Sequence, residues 1–402
     1  MTGGIRMKEA VIVAGARTPV GKAKKGSFKS MRSDELAGIA IKETLKRANY
    51  TGAIDDVILG CALPEAEQGM NIARYASVLG GLSHEVPAIT INRYCSSGLQ
   101  SIADASMKIM TGQATAVIAG GLESMSQIPM PGHVVRPNPS IVETAPEYYM
   151  SMGHTAEQVA ATYQVSREDQ DAFALKSHQK AAAAIASGKF VDEIVPVTVT
   201  EQYVNDELKI EEKTWVVEHD EGVRADSSPE GLAKLRPAFR LGGSVTAGNS
   251  SQTSDGAAAV LIMEREEAER QGLPILGKFK SFAVGGVRPE VMGIGPVVAI
   301  PKALELAGIT LEDVGLIELN EAFASQSLGV IRELGLNEDI VNVNGGAIAL
   351  GHPLGCTGTK LTLTLLHEMK RRNVQYGVVS MCIGGGMGAA GVFELVEGGT
   401  GQ

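Results

Sequence analysis

Three residues in this chain have the types and surroundings for covalent chemistry. Cys95 ends an apolar run in Ala-Ile-Thr-Ile-Asn-Arg-Tyr-Cys-Ser-Ser-Gly. His352 lies in a glycine-dense stretch, 345–358, and Cys382 opens a second one, Cys-Ile-Gly-Gly-Gly-Met-Gly. Glycine costs backbone entropy, so clustering it beside Cys and His points to backbone amides brought close to a reacting atom. Two thiols and an imidazole in such settings suit carbon–sulfur and carbon–carbon chemistry on thioesters.

Each candidate has a plainer reading beside the chemical one. A cysteine at a helix N-terminus has its anion favoured, yet an intracellular cysteine is usually a small buried hydrophobe. Ser96, Ser97 and Gly98 leave room for a substrate and favour the nucleophile. His352, held between Gly351 and Pro353, is placed to act as general base toward Cys95, although a lone histidine is more often structural. Cys382 precedes Gly384, whose amide can face an oxyanion, and a second thiol makes sense where a proton moves on carbon. Its alternative is a buried thiol at a strand end. Asn320, after an apolar strand at 314–319, either orients a water or carbonyl or caps the strand. The polar run 246–256 reads as an ordinary turn. The sequence carries no HExxH, P-loop or dinucleotide fingerprint, so no metal is expected.

These residues need a frame. Apolar runs at 8–15, 57–60, 88–92 and 116–120 read as strands, alternating with helices at 33–47, 71–79 and 96–110. Ser33 or Asp34 is the expected cap of the first helix. Such alternation predicts an α/β fold with a mainly parallel sheet covered on both faces. The pattern breaks near Gly121: 125–152 is rich in Pro and Met, Ser166 caps a long helix to Ala186, and 201–221 holds eight acids against two lysines. Residues 122–251 therefore read as an inserted subdomain outside the sheet. Alternation then resumes, with a strand at 340–344, the His352 turn, a helix at 355–372 and a strand at 377–381. That sequence of elements repeats the one around Cys95. Two duplicated βαβ halves would place the two turns face to face.

The 402 residues exceed one ordinary core. A net charge of −10 and only 4% aromatic residues argue against nucleic acid as a partner. Four cysteines without a CxxC pair fit a reducing compartment, and no apolar run reaches the ~18 residues of a membrane span. Ordered structure is expected to begin near Met7, and a cytoplasmic location is the default.

Taken together, Asn-Arg-Tyr-Cys95-Ser-Ser-Gly, Asn320-Glu-Ala-Phe-Ala, Gly-His352-Pro-Leu-Gly and Cys382-Ile-Gly-Gly-Gly resemble the thiolase family, in its bacterial 3-ketoacyl-CoA branch. The resemblance runs from Met7 through nearly the whole chain. It implies a layered αβαβα core, with one half at 7–121 plus 252–272, a CoA-binding insertion at 122–251, and a second half at 273–397. It implies thiolytic cleavage of 3-ketoacyl-CoA by CoA in fatty-acid β-oxidation. Cys95 would take the acyl group, His352 would activate it, and Cys382 would be the acid/base on carbon. One oxyanion pocket would come from His352 and a water on Asn320, the other from the amides of Cys95 and Gly384. Met152, Arg224, Phe239 and Ser251 line up with CoA contacts, and Ala322 and Phe323 with the pantetheine channel. CoA is then a substrate, no cofactor is permanently bound, and a homodimer or homotetramer is expected, with other β-oxidation enzymes as further partners.

Biosynthetic acetoacetyl-CoA thiolases carry His where this chain has Ser151, which favours the degradative class over that short-chain alternative. Decarboxylating condensing enzymes share the fold but lack the second catalytic cysteine. A CoA-binding protein without activity and a Cys95–Cys382 redox pair are further alternatives.

Overall fold

The computed structural model describes residues 7–396. Its strands are β1 (Ala10–Arg17), β2 (Gly21–Lys22), β3 (Asp56–Gly60), β4 (Ala88–Ile91), β5 (Ala116–Ser124), β6 (Val197–Val204), β7 (Ile210–Val217), β8 (Ser254–Glu264), β9 (Gly277–Gly286), β10 (Val314–Leu319), β11 (Tyr376–Ile383) and β12 (Met387–Glu394). The main sheet runs β10-β11-β12-β9-β1-β8-β5-β3-β4, with β2 added to β8. It divides into two equivalent fans, β4-β3-β5-β8-β1 and β10-β11-β12-β9, joined where Val11 and Ile12 pair with Lys278 and Gly277. The expected duplication is thus present in the topology.

The expectation of a mainly parallel sheet is corrected. Only β3–β4, β3–β5 and β10–β11 are parallel, whereas every other pairing is antiparallel. Parallel pairs need a long crossover, and the Ser97–Met110 and Leu354–Arg372 helices supply two of them. The link from β11 to β12 is only Gly384, Gly385 and Gly386, so that pair must turn back antiparallel. Gly385 and Gly386 have φ of 80° and 84°, which suit residues without Cβ.

The anticipated strand at 340–344 shrinks to one parallel bridge between Val341 and Ile317. Asn342, at φ 45°, takes the strand's place: its side chain accepts from Leu319 N–H and donates to Leu319 C=O, both at 2.8 Å. The first helix spans Ser33–Ala48 without the expected cap; Arg32 is its N-cap and Asp34 pairs with Arg32. Ser166 does cap the Arg167–Ala186 helix through Asp169 N–H.

Three main cores stack between the layers. One lies under the Ser33–Ala48 helix on the first fan, and one lies between the Gly295–Ala307 and Ala324–Leu334 helices and the second fan. Between the two fans sits a third, built on the Ser97–Met110 and Leu354–Arg372 helices, with Leu99, Ile102, Leu361, Leu363 and Leu365 buried. This is the αβαβα arrangement. The central helices approach so closely that a Cβ on Gly358 would lie 2.2 Å from Leu99 N, and β5 lies so close to the second of them that a Cβ on Gly121 would lie 1.9 Å from Gly355 O. Much of the glycine around His352 therefore serves helix packing, which the reading of these glycines as amide donors had not separated.

The segment between β5 and β8 lies mostly outside the sheet, although β5 itself continues to Ser124. Its acidic stretch is the exposed β6–β7 hairpin. Its Pro- and Met-rich part holds a short Pro139–Thr144 helix, followed by the unanticipated Met152–Thr162 helix. The segment is tied to the first half by fully buried Arg17, which pairs with Glu193 at 2.6 Å and Asp220 at 2.7 Å.

Candidate active site

Cys95 sits on a single 3-10 turn, Tyr94–Ser96, between β4 and the central helix. Tyr94 has φ 44° there, an unusual conformation for a tyrosine. The turn is braced locally: Tyr94 N–H donates to Asn92 Oδ1 at 2.8 Å, and Asn92 Nδ2 donates to Ala62 C=O at 3.1 Å. Ser97 Oγ donates to Tyr94 C=O and accepts from Arg93 N–H.

The backbone amides of Gly384 and of Cys95 itself favour the thiolate, yet burial dominates and pushes the Cys95 thiol up to about 11. The expected helix-end stabilisation of the thiolate is therefore outweighed. Cys382, fully buried at the end of β11, is driven above the usual thiol range by burial and by the neighbouring Cys95. Both sulfurs rest as thiols.

His352 lies on the matching turn before the second central helix. Burial, and after it the Lys360 charge, lowers the imidazole to about 4, so it is neutral at physiological pH. Nε2 is 3.3 Å from Asn320 Nδ2, and Nδ1 is 2.6 Å from Thr357 Oγ1. Asn320 is held at the end of β10 by its N–H to Ser380 C=O at 2.9 Å, beside the strand that ends in Cys382. Its Oδ1 is buried without a protein donor among the described residues.

The structure gathers most of the anticipated binding residues around Cys382. Met152, Phe239, Ala322 and Phe323 share one apolar cluster with it, together with Ala156, Val245 and Met292. Phe239 and Phe323 meet edge to face with centroids 6.1 Å apart, a favourable aromatic geometry. Gly384 faces Met152, whose sulfur would lie 3.6 Å from an added Cβ. Ser251 belongs to the same neighbourhood through its N–H to Ala322 C=O at 2.9 Å.

Arg224 lies elsewhere, in a cleft of about 220 Å³ with His178, Ser227, Ser228, Gly248 and Gln252 on its walls. His178 Nδ1 accepts the Arg224 N–H at 3.1 Å. Ser151 precedes the Met152–Thr162 helix and contacts His154 Nδ1 at 2.7 Å. Among the described residues no cluster of His, Cys, Asp or Glu suits a metal ion.

Sequence reading missed three contributors. The run 246–256 is not an ordinary turn: it bridges Ser250 to Phe323 and Thr253 to His352, lacing the two parts of the site together. Buried Glu123 accepts from Ala62, Leu63 and Gly355 N–H and from Gln68 Nε2, spanning the two turns. Thr357 is the partner of His352. An isolated Thr in a helix or Glu at a strand end carries no local signal. The one available hint for Thr357 was its place in the first turn after the His-Pro pair.

The chain matches the thiolase N-terminal domain over residues 10–266 and the thiolase C-terminal domain over residues 273–395. It is 70% identical over 390 residues to the 3-ketoacyl-CoA thiolase of Bacillus subtilis (strain 168), covering 97% of this chain and all of that one. With the peroxisomal 3-ketoacyl-CoA thiolase A of Mus musculus it shares 50% over 392 residues, 96% of this chain and 91% of the relative. The crystal structure of the Bacillus anthracis acetyl-CoA acetyltransferase superposes with a TM-score of 0.88 at 41% identity, over 98% of this chain and all of that one. Human mitochondrial 3-ketoacyl-CoA thiolase gives 0.87 at 38%, over 97% of this chain and all of that one. With both halves matched and the reactive turns of each facing one another, the chain belongs to the thiolase family.

Proposed function

We infer that this chain is an acetyl-CoA C-acyltransferase that cleaves 3-ketoacyl-CoA with CoA, yielding acetyl-CoA and a shortened acyl-CoA in fatty-acid β-oxidation. The relative at 70% identity is a 3-ketoacyl-CoA thiolase, and the short-chain acetoacetyl-CoA alternative is not favoured. The observation that supports the mechanism is the contact of Asn320 with the buried, neutral imidazole of His352, while Cys95 packs against Leu354 two residues beyond that histidine.

His352 takes the Cys95 proton as Sγ attacks the 3-keto carbon. The amides of Cys95 and Gly384 would donate to the resulting oxyanion, and His352 with a water on Asn320 would donate to the enolate oxygen formed next. Collapse breaks the bond between the second and third carbons. The departing enolate of acetyl-CoA receives its proton from Cys382, leaving the acyl group on Cys95. Cys382, now a thiolate, takes the proton of the incoming CoA thiol, whose sulfur displaces Cys95. The oxygen on the Cys95-bound carbon is the same in both additions, so the amides of Cys95 and Gly384 would serve the second tetrahedral oxyanion as they serve the first. A thiol with a raised pKa suits a group that must give its proton to carbon and recover it.

The CoA substrate would be held with its pantetheine arm along Met152, Phe239, Ala322, Phe323 and Ser251, and its nucleotide end toward the Arg224 cleft. In this reading residues 122–251 form the CoA-binding subdomain between halves at 7–121 plus 252–272 and at 273–397. CoA enters and leaves as a substrate, with no permanently bound cofactor. A homodimer or homotetramer in the cytoplasm, in contact with other β-oxidation enzymes, completes the reading; no described helix is long and apolar enough to cross a membrane.

The deciding assay is CoA-dependent cleavage of a series from acetoacetyl-CoA to 3-ketopalmitoyl-CoA, with Cys95→Ala alongside. Activity on the longer substrates that the substitution abolishes is expected. Activity on acetoacetyl-CoA alone would move the chain to the short-chain class.

A further inference from the structure

We propose that Thr357 is a positioning residue that sets the tautomer of His352, holding the ring proton on Nδ1 and leaving Nε2 unprotonated as the base. This deepens the reading above, since it concerns the base assigned there.

The hydrogen bonds leave one consistent arrangement. Thr357 Oγ1 lies 2.9 Å from the Pro353 carbonyl, one helical turn back. A carbonyl only accepts, so the single hydroxyl proton is committed to it. The remaining Thr357 lone pairs can only accept, and His352 Nδ1 is 2.6 Å away. Nδ1 must therefore carry the ring proton. Because burial keeps the imidazole neutral, Nε2 is bare. On that side Asn320 presents its Nδ2 at 3.3 Å. Both Thr357 and His352 are buried, so solvent does not compete for either nitrogen.

A hydroxyl in this place differs in effect from a carboxylate. A carboxylate on Nδ1 would favour the imidazolium and with it a standing thiolate–imidazolium pair. The neutral acceptor fixes ring orientation and tautomer without that bias, and it agrees with a thiol–imidazole pair at rest. When Cys95 ionises, its proton passes to Nε2 while Nδ1–H stays on Thr357. The proton returns from Nε2 when Cys95 is displaced.

Two measurements test this, and neither requires turnover. In protein labelled with ¹⁵N-histidine, the His352 signals, assigned by their loss in His352→Gln, should show a protonated Nδ1 and an unprotonated Nε2 at neutral pH. A protonated Nε2 would overturn the proposal. In parallel, carbamidomethylation of Cys95 by iodoacetamide at pH 7 should slow at least about tenfold in Thr357→Val, part of the ~10²–10⁴-fold a positioned base supplies. Thr357→Ser should restore the rate to within about threefold. A wild-type rate in Thr357→Val would equally overturn it, and if that variant does not fold, the wild-type spectrum decides. Failure of 3-ketoacyl-CoA cleavage would sink the proposed reaction while leaving both of these readouts intact.

Discussion

Glu123 and Gly355 belong to different halves of the fold, yet the Glu123 carboxylate accepts the Gly355 N–H at 2.9 Å. The same carboxylate accepts Ala62 N–H at 2.8 Å, and Ala62 C=O in turn holds Asn92 under the Cys95 turn. One buried side chain thus braces both reactive turns. Glu123→Ala should lower unfolding free energy by about 3 kcal/mol or more, because several buried donors lose their acceptor at ~1–3 kcal/mol each. Urea unfolding measures this, and a loss below about 1 kcal/mol would mean that water or a rearranged loop replaces the carboxylate.

Asn320→Ala should reduce kcat by roughly 10²–10³-fold, the usual effect of losing one oxyanion donor. KM for the 3-ketoacyl substrate should change little. Steady-state kinetics separate the two, and a rise in KM at constant kcat would assign Asn320 to binding instead.

The pH dependence of stability follows from the buried histidines. His352 and His178 are both held near 4 in the folded chain by burial, against an ordinary value of 6.5. The unfolded chain therefore binds more protons between these values. Their contribution is fully present above pH 6.5 and is lost as pH falls toward 4. Urea midpoints should drop across that interval, and His178→Gln should flatten the slope. An unchanged slope in that variant would show that His178 is not a source of it.

Gly358→Ala places a methyl against the Leu99 backbone nitrogen at 2.2 Å, a contact that no side-chain rotation relieves. Overpacking of this kind costs typically 1–3 kcal/mol. Because the two helices carry the Cys95 and His352 turns, the substitution should lower kcat as well as the thermal midpoint. Wild-type kcat with a lowered midpoint would uncouple helix spacing from the site.

Much of the chemistry was legible because it is local. Cys95, His352, Cys382 and Gly384 each sit in a short, unusual run of small residues, and those runs are the turns that the structure brings together. The β–helix–β grammar around Cys95 was also readable from apolar runs of four or five residues. What escaped was non-local. Asn342 replaces an edge strand with side-chain hydrogen bonds, so its segment has a strand's residues but no strand's backbone. Pairing direction was misjudged because alternating elements suggest crossovers, whereas β11 and β12 turn at three glycines. The thiolate preference expected of a helix start was reversed by burial, which depends on everything packed above the turn.

Among the described residues the two fans pair at two positions along β1 and β9, and in the proposed reaction the nucleophile belongs to one fan while its base belongs to the other. Neither half alone holds a reactive pair. A nascent or partly unfolded chain that has formed only its first half carries Cys95 without His352 and Asn320, and so lacks the base and the donor of the proposed reaction. In the proposed reaction chemical competence needs both halves, so acyl transfer to Cys95 would report that both have folded.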